Sequence, residues 1–218
     1  MSASAPVCLS VQSGVVAGHV GHGGSAPALA LLGVEAMTLP TVVLSGHAAT
    51  PGVRGRRLPG DEIAALCEGL AAAGALGRAD GLLAGYLGTA EAAEATADLV
   101  AAWRGARGAR GAGGVFVCDP VLGDEGPGLY LPEAVGEVYR ARLLPMADIA
   151  TPNAFELGWL TGLPARTPEE IVAAAEALRA ALRPGGAVLV TSVEAEGGIG
   201  ALAVGAGGPP ALALGPKA

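Results

Sequence analysis

The sequence has few of the residues on which several classes of protein depend. Its 218 residues include a single lysine, Lys217, and aromatic residues make up only 3% of the chain. Its net charge is −7, from 13 basic and 20 acidic residues. This balance argues against a general nucleic-acid binder, which usually presents a basic surface. Arginine and glycine alternate at 104–114, a composition found in RNA-binding segments, but between a helix and a strand we interpret them as a solvated connection.

Cysteine and long apolar runs are also scarce. The three cysteines, Cys8, Cys67 and Cys118, are far apart and form no C-x-x-C motif, which predicts reduced thiols. No apolar run approaches the ~20 residues that span a bilayer. The N-terminal residues also lack the basic and long apolar segments of a secretory signal. We therefore expect a cytoplasmic protein with no membrane partner. A hydrophobic content of 51% excludes a disordered chain.

Instead, the sequence alternates between apolar, strand-like runs and amphipathic helices. Thr89 is a predicted helix cap, Thr167 and Glu170 form a predicted capping box, and Pro132 suits the first position of a helix. Buried strands without polar alternation favour a mostly parallel sheet with helices on both faces, in one α/β domain over 1–218. The predicted strands are 6–12, 34–40, 80–85, 114–118, 147–150, 187–192, 200–204 and 211–214; the predicted helices are 25–33, 61–70, 89–103, 132–144 and 167–182.

Polar residues follow most of the predicted parallel strands. In open α/β sheets, ligands bind beyond the carboxyl ends of the strands, so such residues are candidates for a ligand cleft. They are Gln12, Ser13, Tyr86, Asp119, Thr151, Asn153, Thr191 and Ser192.

Two acidic motifs allow both a structural and a functional interpretation. Asp119 and Asp124 can be turn-forming and solvated residues, but two carboxylates also suit Mg²⁺ together with phosphate oxygens and water. Asn153 and Glu156 have the spacing of a helix cap, and the same helix start is a natural place for phosphate and metal. Together they favour a nucleotide–metal site.

The glycine-rich segment at residues 13–24 matches neither the dinucleotide-binding nor the phosphate-loop pattern. We interpret it as a flexible loop that closes over a small substrate. His19 and His22 allow a zinc site, although no clear third ligand accompanies them. His47 either faces the substrate or is an ordinary loop histidine.

The motifs SVQSGVVAGHVG, LSGHAAT, GLLAGYLGTAE, VCDPVLGDEG, ADIATPNAFEL and VLVTS occur in the order and spacing of the pyridoxal kinases. The chain resembles this family of the ribokinase-like fold from Val7 to about Leu214. The resemblance implies ATP-dependent phosphorylation of the 5′-hydroxymethyl group of pyridoxal, and often of pyridoxine and pyridoxamine. Related kinases that act on hydroxymethylpyrimidine share the C-D-P-V motif and remain an alternative.

The resemblance also implies roles for individual residues. Ser13 would bind the pyridine ring, with His47 near the same pocket and Tyr86 beside the cleft. The other candidate residues would hold the nucleotide, Mg²⁺ and a monovalent cation such as K⁺. Of these, the carboxylates of Asp119, Asp124 and Glu156 would organise the metal ions, and Thr151, Asn153, Thr191 and Ser192 would contact ATP.

The sequence departs from the pattern of the family at two places. The substrate loop of the family commonly reads S-N-H-T, where this sequence has Ser45, Gly46, His47 and Ala48. The family's G-x-G-D motif, which supplies the anion hole and the catalytic base, does not occur, so we assign no catalytic residue. A non-catalytic protein that binds nucleotide and vitamin B6 is therefore a second hypothesis. The sequence lacks the C-terminal segment that carries this motif and covers the core in the family. We therefore expect exposed apolar surface, and a chain that is poorly stable or associates through this surface; a homodimer is the family's common assembly.

Overall fold

The computed structural model describes residues 5–109, 113–195 and 197–216. They divide into two compact units, Met1–Phe116 and Val117–Ala218. Of the arginine–glycine segment, Arg104 to Gly108 belong to a helix, whereas 110–112 lie outside the described residues. None of the described helices has the length and apolar character needed to cross a membrane.

The first unit is built on a long pair of parallel strands. Strand β1 (Val7–Ala17) lies between β2 (Glu35–Gly46) and β4 (Gly81–Ala84) and is parallel to both; the short β3 (Gly55–Arg57) pairs antiparallel with β2. The helices of this unit are α1 (His22–Leu31), α2 (Gly60–Ala72) and α3 (Ala90–Gly108).

The second unit has a parallel part and an antiparallel part. In spatial order its strands are β5 (Val115–Cys118, which begins in the first unit), β8 (Ile149–Ala150), β9 (Ala187–Ala195), β10 (Gly198–Val204) and β11 (Ala211–Gly215). The first three are parallel, and β10 is antiparallel to both neighbours. A separate hairpin joins β6 (Gly123–Asp124) to β7 (Gly128–Leu129), and the helices are α4 (Glu133–Val138), α5 (Ala154–Thr161) and α6 (Pro168–Ala181).

The predicted α/β class with a mostly parallel sheet is confirmed. The prediction of one loop over 13–24 is wrong, because β1 continues to Ala17 and α1 begins at His22, leaving only Gly18 to Gly21 between them. Strands β3, β6 and β7 were not predicted, since two or three residues are too few to carry a periodic pattern.

Helix α3 carries much of the core of the first unit. Its Leu99, Val100 and Trp103 side chains are buried, and burial of a side chain of this size stabilises the fold by about 1.5–3 kcal/mol. The indole Nε1 of Trp103 donates a hydrogen bond to the carbonyl of Ala79 at 2.9 Å. The predicted cap is confirmed, because the Thr89 hydroxyl accepts from the Ala92 amide at 3.1 Å.

In the second unit, the segment after Pro132 differs from the single helix predicted over 132–144. Pro132 precedes α4 as its cap, and at Tyr139–Leu143 the chain widens into a π-helical turn, followed by a tighter 3₁₀ turn at Leu144–Met146. Within this turn, the Arg140 guanidinium donates to the carbonyls of Trp159 and Leu160 and lies over the Trp159 ring at 4.6 Å. Arg140 thereby satisfies carbonyls at the C-terminal end of α5. The predicted capping box of Thr167 and Glu170 is confirmed.

Two helical glycines should respond oppositely to alanine. A methyl group at Gly136 in α4 would overlap the Trp159 ring, whereas a methyl at Gly69 in α2 would meet no atom within 4 Å. Gly136→Ala should lower the free energy of unfolding by about 1–3 kcal/mol. Gly69→Ala should raise it by up to about 1 kcal/mol through helix propensity. Urea denaturation followed by circular dichroism measures both, and a stabilised Gly136→Ala would contradict the packing described.

Candidate functional site

Asp119 lies at the carboxyl end of β5, and a neighbouring hydroxyl fixes its side chain. The Thr151 hydroxyl donates to Asp119 Oδ1 at 2.9 Å, and the Thr151 amide donates to the Cys118 carbonyl at 3.0 Å. Burial raises the pKa of the Asp119 carboxyl, and the bond from Thr151 partly opposes this rise. The end of β5 and the start of the loop after β8 are therefore joined through one carboxylate.

The predicted helix cap at the start of α5 is present, and its two residues also form hydrogen bonds with the 119–124 loop. The Asn153 side chain accepts from the Glu156 amide at 2.8 Å, and Glu156 Oε2 accepts from the Asn153 amide at 2.9 Å. The other oxygen, Oε1, accepts from the amides of Leu122 and Gly123 at 2.9 and 3.4 Å. The Asn153 amide group also donates to the Gly123 carbonyl at 2.9 Å. One capping box thus holds the 119–124 loop against the start of α5.

Glu156 is buried, with 4% of its surface exposed. Burial raises the pKa of its carboxyl to about 7, although the three backbone hydrogen bonds act in the opposite direction. Both carboxylate oxygens accept hydrogen bonds from backbone amides, so Glu156 links the 119–124 loop to the start of α5. We call this set of hydrogen bonds the Glu156 bracket. The metal-ligand role implied by the sequence resemblance stays a prediction.

Asp124 is exposed on the β6–β7 hairpin, where its Oδ1 accepts from the Glu125 amide at 2.8 Å. Tyr130, which the sequence reasoning did not select, forms a hydrogen bond with Asp124 through its hydroxyl. Burial and the negative charges of Asp124 and Glu156 raise the pKa of Tyr130. The turn residues Gly126 and Gly128, both with positive φ, were the available signal for this hairpin.

Thr191 and Ser192 occupy an irregularity in β9. The register shifts between β9 and β10 so that these two residues face the single residue Ala201, which is a β-bulge. The Thr191 amide donates to the Pro152 carbonyl at 2.9 Å, and Thr191 forms a bridge with Asn153. Ser192 has a left-handed backbone, with φ of 57°, and is exposed. The bulge therefore places one residue beside Asn153 and turns the next one outward.

In the first unit, Ser13 is buried under the turn at Gly21. A methyl group at Gly21 would overlap the carbonyl and hydroxyl oxygens of Ser13. Tyr86 is half-buried, and its carbonyl accepts from the Thr41 hydroxyl at 2.6 Å. His47 is exposed just after β2, and its Nδ1 accepts from the Ala49 amide at 3.2 Å. Of the predicted substrate residues, Ser13 thus lies within β1, whereas His47 follows β2 and Tyr86 follows β4.

Across 5–109, 113–195 and 197–216, no three His, Cys, Asp or Glu side chains are gathered so that they could hold a metal by themselves. The histidines at 19, 22 and 47 therefore form no zinc cluster. A Mg²⁺ ion needs less from the protein, because it typically takes one or two carboxylates and fills its shell with phosphate oxygens and water. Asp119 and Asp124 offer such carboxylates.

The pKa of Glu156 gives a test of its burial. Because this pKa is about 7 in the folded chain against its usual 4.5, the folded state binds more protons between these values. Stability should therefore fall as pH rises from about 4.5 to about 7, by an amount on the order of 3 kcal/mol. Glu156→Gln should flatten most of this slope, and the exposed Glu169→Gln should keep it. Denaturant midpoints across this range measure the effect; an unchanged slope in Glu156→Gln would contradict it.

Comparisons with known proteins show which family the chain resembles. The family model described as phosphomethylpyrimidine kinase matches residues 80–202. The chain is 40% identical over 187 residues to the pyridoxal kinase PdxY of Granulibacter bethesdensis, covering 85% of this chain. It is 38% identical over 186 residues to the pyridoxal kinase PdxY of Leifsonia xyli subsp. xyli, also covering 85% of this chain. The chain spans 64% of the length of each of these curated relatives.

A solved structure is similar over most of the chain. The pyridoxal kinase of Leishmania donovani in complex with ADP and pyridoxine matches with a TM-score of 0.83 and 34% identity, covering 90% of this chain and 66% of that one. The resemblance to pyridoxal kinases predicted from the sequence is confirmed. Because the family model also matches more than half of the sequence, the chain belongs to the phosphomethylpyrimidine kinase family.

Proposed function

We propose that this chain carries the nucleotide-binding and pyridoxal-binding residues of an ATP-dependent pyridoxal kinase, which phosphorylates the 5′-hydroxymethyl group of its substrate. The observation that carries the proposal is the bracket formed by Glu156, which holds the loop of Asp119 and Asp124 against the start of α5. The ADP complex of the Leishmania donovani relative supports ATP as the phosphoryl donor.

Phosphoryl transfer requires mainly positioning and neutralisation of charge. Asp119 and Asp124 would hold Mg²⁺, which when bound neutralises charge on the phosphates. Thr151 already binds Asp119, and Asn153 already binds the loop carbonyl at Gly123, so both side chains are oriented before a nucleotide arrives. Thr191 and Ser192 would contact ATP from the bulge in β9. A monovalent cation such as K⁺ would complete the charge balance.

On the substrate side, Ser13 would hydrogen-bond the pyridine ring, with His47 and Tyr86 near the same molecule. Pyridoxal, pyridoxamine and pyridoxine are the proposed substrates, because curated relatives are named pyridoxal kinase and the Leishmania donovani kinase was solved with pyridoxamine and with pyridoxine. The match to the phosphomethylpyrimidine kinase model favours hydroxymethylpyrimidine as the alternative acceptor. Three cysteines without disulfides support the cytoplasm as the location.

The kinase proposal predicts phosphorylated product from the full chain with ATP and Mg²⁺. Direct chromatography of the product should detect pyridoxal 5′-phosphate, with pyridoxal preferred over hydroxymethylpyrimidine in a panel of acceptors. Asp119→Asn should lower the rate at least about a hundredfold, because a carboxylate placed for the metal is lost. Asp98→Asn, an exposed change on α3, should leave the rate unchanged.

Other outcomes of these experiments would change or contradict the proposed function. Preference for hydroxymethylpyrimidine would favour the alternative kinase. Tight binding of nucleotide and pyridoxal without any product would support the non-catalytic binding protein. Equal loss of rate in Asp98→Asn and Asp119→Asn would contradict the site.

We also propose a second copy of the chain as a partner. Apolar side chains of the first unit are strongly exposed around α1, at 81% for Val16, 90% for Leu31 and 79% for Leu32. Helix α1 buries none of its residues and carries no acidic residue in its first turn and no basic residue in its last. An exposed apolar surface without charge favours association with a like surface.

The dimer proposal predicts concentration-dependent association through this surface. Leu31→Glu should shift the population towards monomer, because a charge would be buried in the interface. Leu163→Glu, an exposed leucine of the second unit, should leave the association constant unchanged. Sedimentation equilibrium measures both variants. A parent chain that stays monomeric at all accessible concentrations would contradict the proposal.

A further inference from the structure

Buried polar side chains beneath the Gly21 turn form a network for which neither the fold nor the proposed chemistry accounts. Ser10 is 0% exposed and Gln12 is 8% exposed, both on β1. The Gln12 amide nitrogen, Nε2, donates to Ser10 Oγ at 2.8 Å and to Ser25 Oγ at 2.6 Å. Since an amide nitrogen has two N–H groups, both are engaged. Gln12 therefore joins its own strand to helix α1.

Ser25 extends this network to Ser13. The Ser25 amide donates to the Gly21 carbonyl at 3.0 Å. Gly21 has a φ of 55°, a backbone that glycine adopts readily, and it packs so closely on Ser13 that a methyl group would overlap the Ser13 hydroxyl. A continuous path of contacts thus runs from Gln12 through Ser25 and Gly21 to Ser13.

Gln12 also contacts the segment that carries Tyr86. A methyl group at Gly85 would lie 2.9 Å from Gln12 Oε1 and 3.1 Å from its Cβ, so the side chain packs directly on the Gly85 backbone. The Gly85 amide donates to the Val11 carbonyl at 2.9 Å, and Tyr86 follows. One buried amide therefore lies against the supports of two residues implicated in substrate binding.

The start of α1 is tied to the same strand. His22 Nε2 lies 3.1 Å from the Ser10 carbonyl, which places an N–H of the ring on that oxygen. The amides of Gly23 and Gly24 donate to the carbonyls of Val20 and Gly21 at 3.1 Å. Hydrogen bonds thus fix the turn at Gly21 both at its centre and where the chain enters helix α1.

We propose that Gln12 is a positioning residue for the pyridoxal ring. Through Ser25 and Gly21 it sets the location of the Ser13 hydroxyl, and through Gly85 it sets the start of the Tyr86 segment. The inference rests on the proposed function, because Ser13 is the residue assigned to the substrate. A buried hydrogen-bonded amide suits this role, since fully paired polar networks fix one geometry more sharply than apolar packing does.

Two substitutions test the network through direct measurement of ligand binding. Gln12→Met keeps the length of the side chain but removes both donated hydrogen bonds, and Ser25→Ala removes one acceptor. Each should weaken pyridoxal binding about tenfold, the scale expected for one or two buried hydrogen bonds. Mg²⁺–ATP binding should be unchanged, and Ser25→Thr, which restores a hydroxyl, should recover most of the pyridoxal affinity. Equilibrium dialysis of the full chain with pyridoxal, and separately with Mg²⁺–ATP, gives these constants.

A matched control separates positioning from general destabilisation. Thr96→Val in α3 removes another buried hydrogen bond of the first unit, from the Thr96 hydroxyl to the Ala92 carbonyl at 2.7 Å. It should lower the thermal midpoint comparably while leaving pyridoxal affinity unchanged. If Gln12→Met fails to fold, the pair Ser25→Ala and Ser25→Thr decides the question.

The outcomes distinguish this inference from the proposed function. A parent chain that binds pyridoxal, together with Gln12→Met and Ser25→Ala variants that bind as tightly as Thr96→Val, would overturn the role of Gln12 and leave the kinase assignment standing. A parent chain that binds no pyridoxal would overturn the proposed function, and the role of Gln12 with it. Selective loss of pyridoxal affinity, recovered by Ser25→Thr, would support the inference.

Discussion

The arrangement of the second unit depends on one buried carboxylate that accepts three backbone hydrogen bonds. Glu156 binds the amides of Leu122 and Gly123 with one oxygen and that of Asn153 with the other. A buried carboxylate is costly unless its hydrogen-bonding capacity is used, so these hydrogen bonds favour the close approach of the two loops. The positions of Asp119 and Asp124 follow from this constraint, because they lie at the two ends of the loop that Glu156 holds.

The same carboxylate makes stability depend on pH. Burial raises the pKa of Glu156 to about 7, so the group stores unfavourable desolvation energy in the neutral pH range. Such strain is common where a site must hold charge in a fixed place. In the first unit, the corresponding constraint is steric, since Gly21 and Gly85 let the backbone approach Ser13 and Gln12 more closely than any other residue would allow.

The sequence predicted the parallel strands, the Thr89 cap and both capping boxes, because hydrophobic periodicity and cap residues act locally. It also selected two pairs of residues that are in contact at the strand ends, Asp119 with Thr151 and Asn153 with Thr191, as the rule on strand ends anticipates. It could not predict that both carboxylate oxygens of Glu156 would accept hydrogen bonds from backbone amides, since Leu122 and Gly123 are more than thirty residues away in sequence. Tyr130 was missed as a site residue, because no periodic or capping pattern identifies its hydrogen bond with Asp124 across the β6–β7 hairpin. Gln12 was selected only as a polar residue at the end of a predicted strand, and its contacts with Ser25 and Gly85 could not be predicted from the sequence.

The central claim is that the bracketed loop is the place where metal and nucleotide bind. Titrating the isotope-labelled chain with ADP and Mn²⁺ in place of Mg²⁺ tests it directly, because a bound paramagnetic ion broadens the amide signals nearest to it. The account predicts that signals from 119–124 and 151–156 broaden first and together, and that Asp119→Asn abolishes this selectivity. Broadening centred on exposed carboxylates elsewhere, such as Asp61 or Glu91, with the loop signals unaffected, would contradict it.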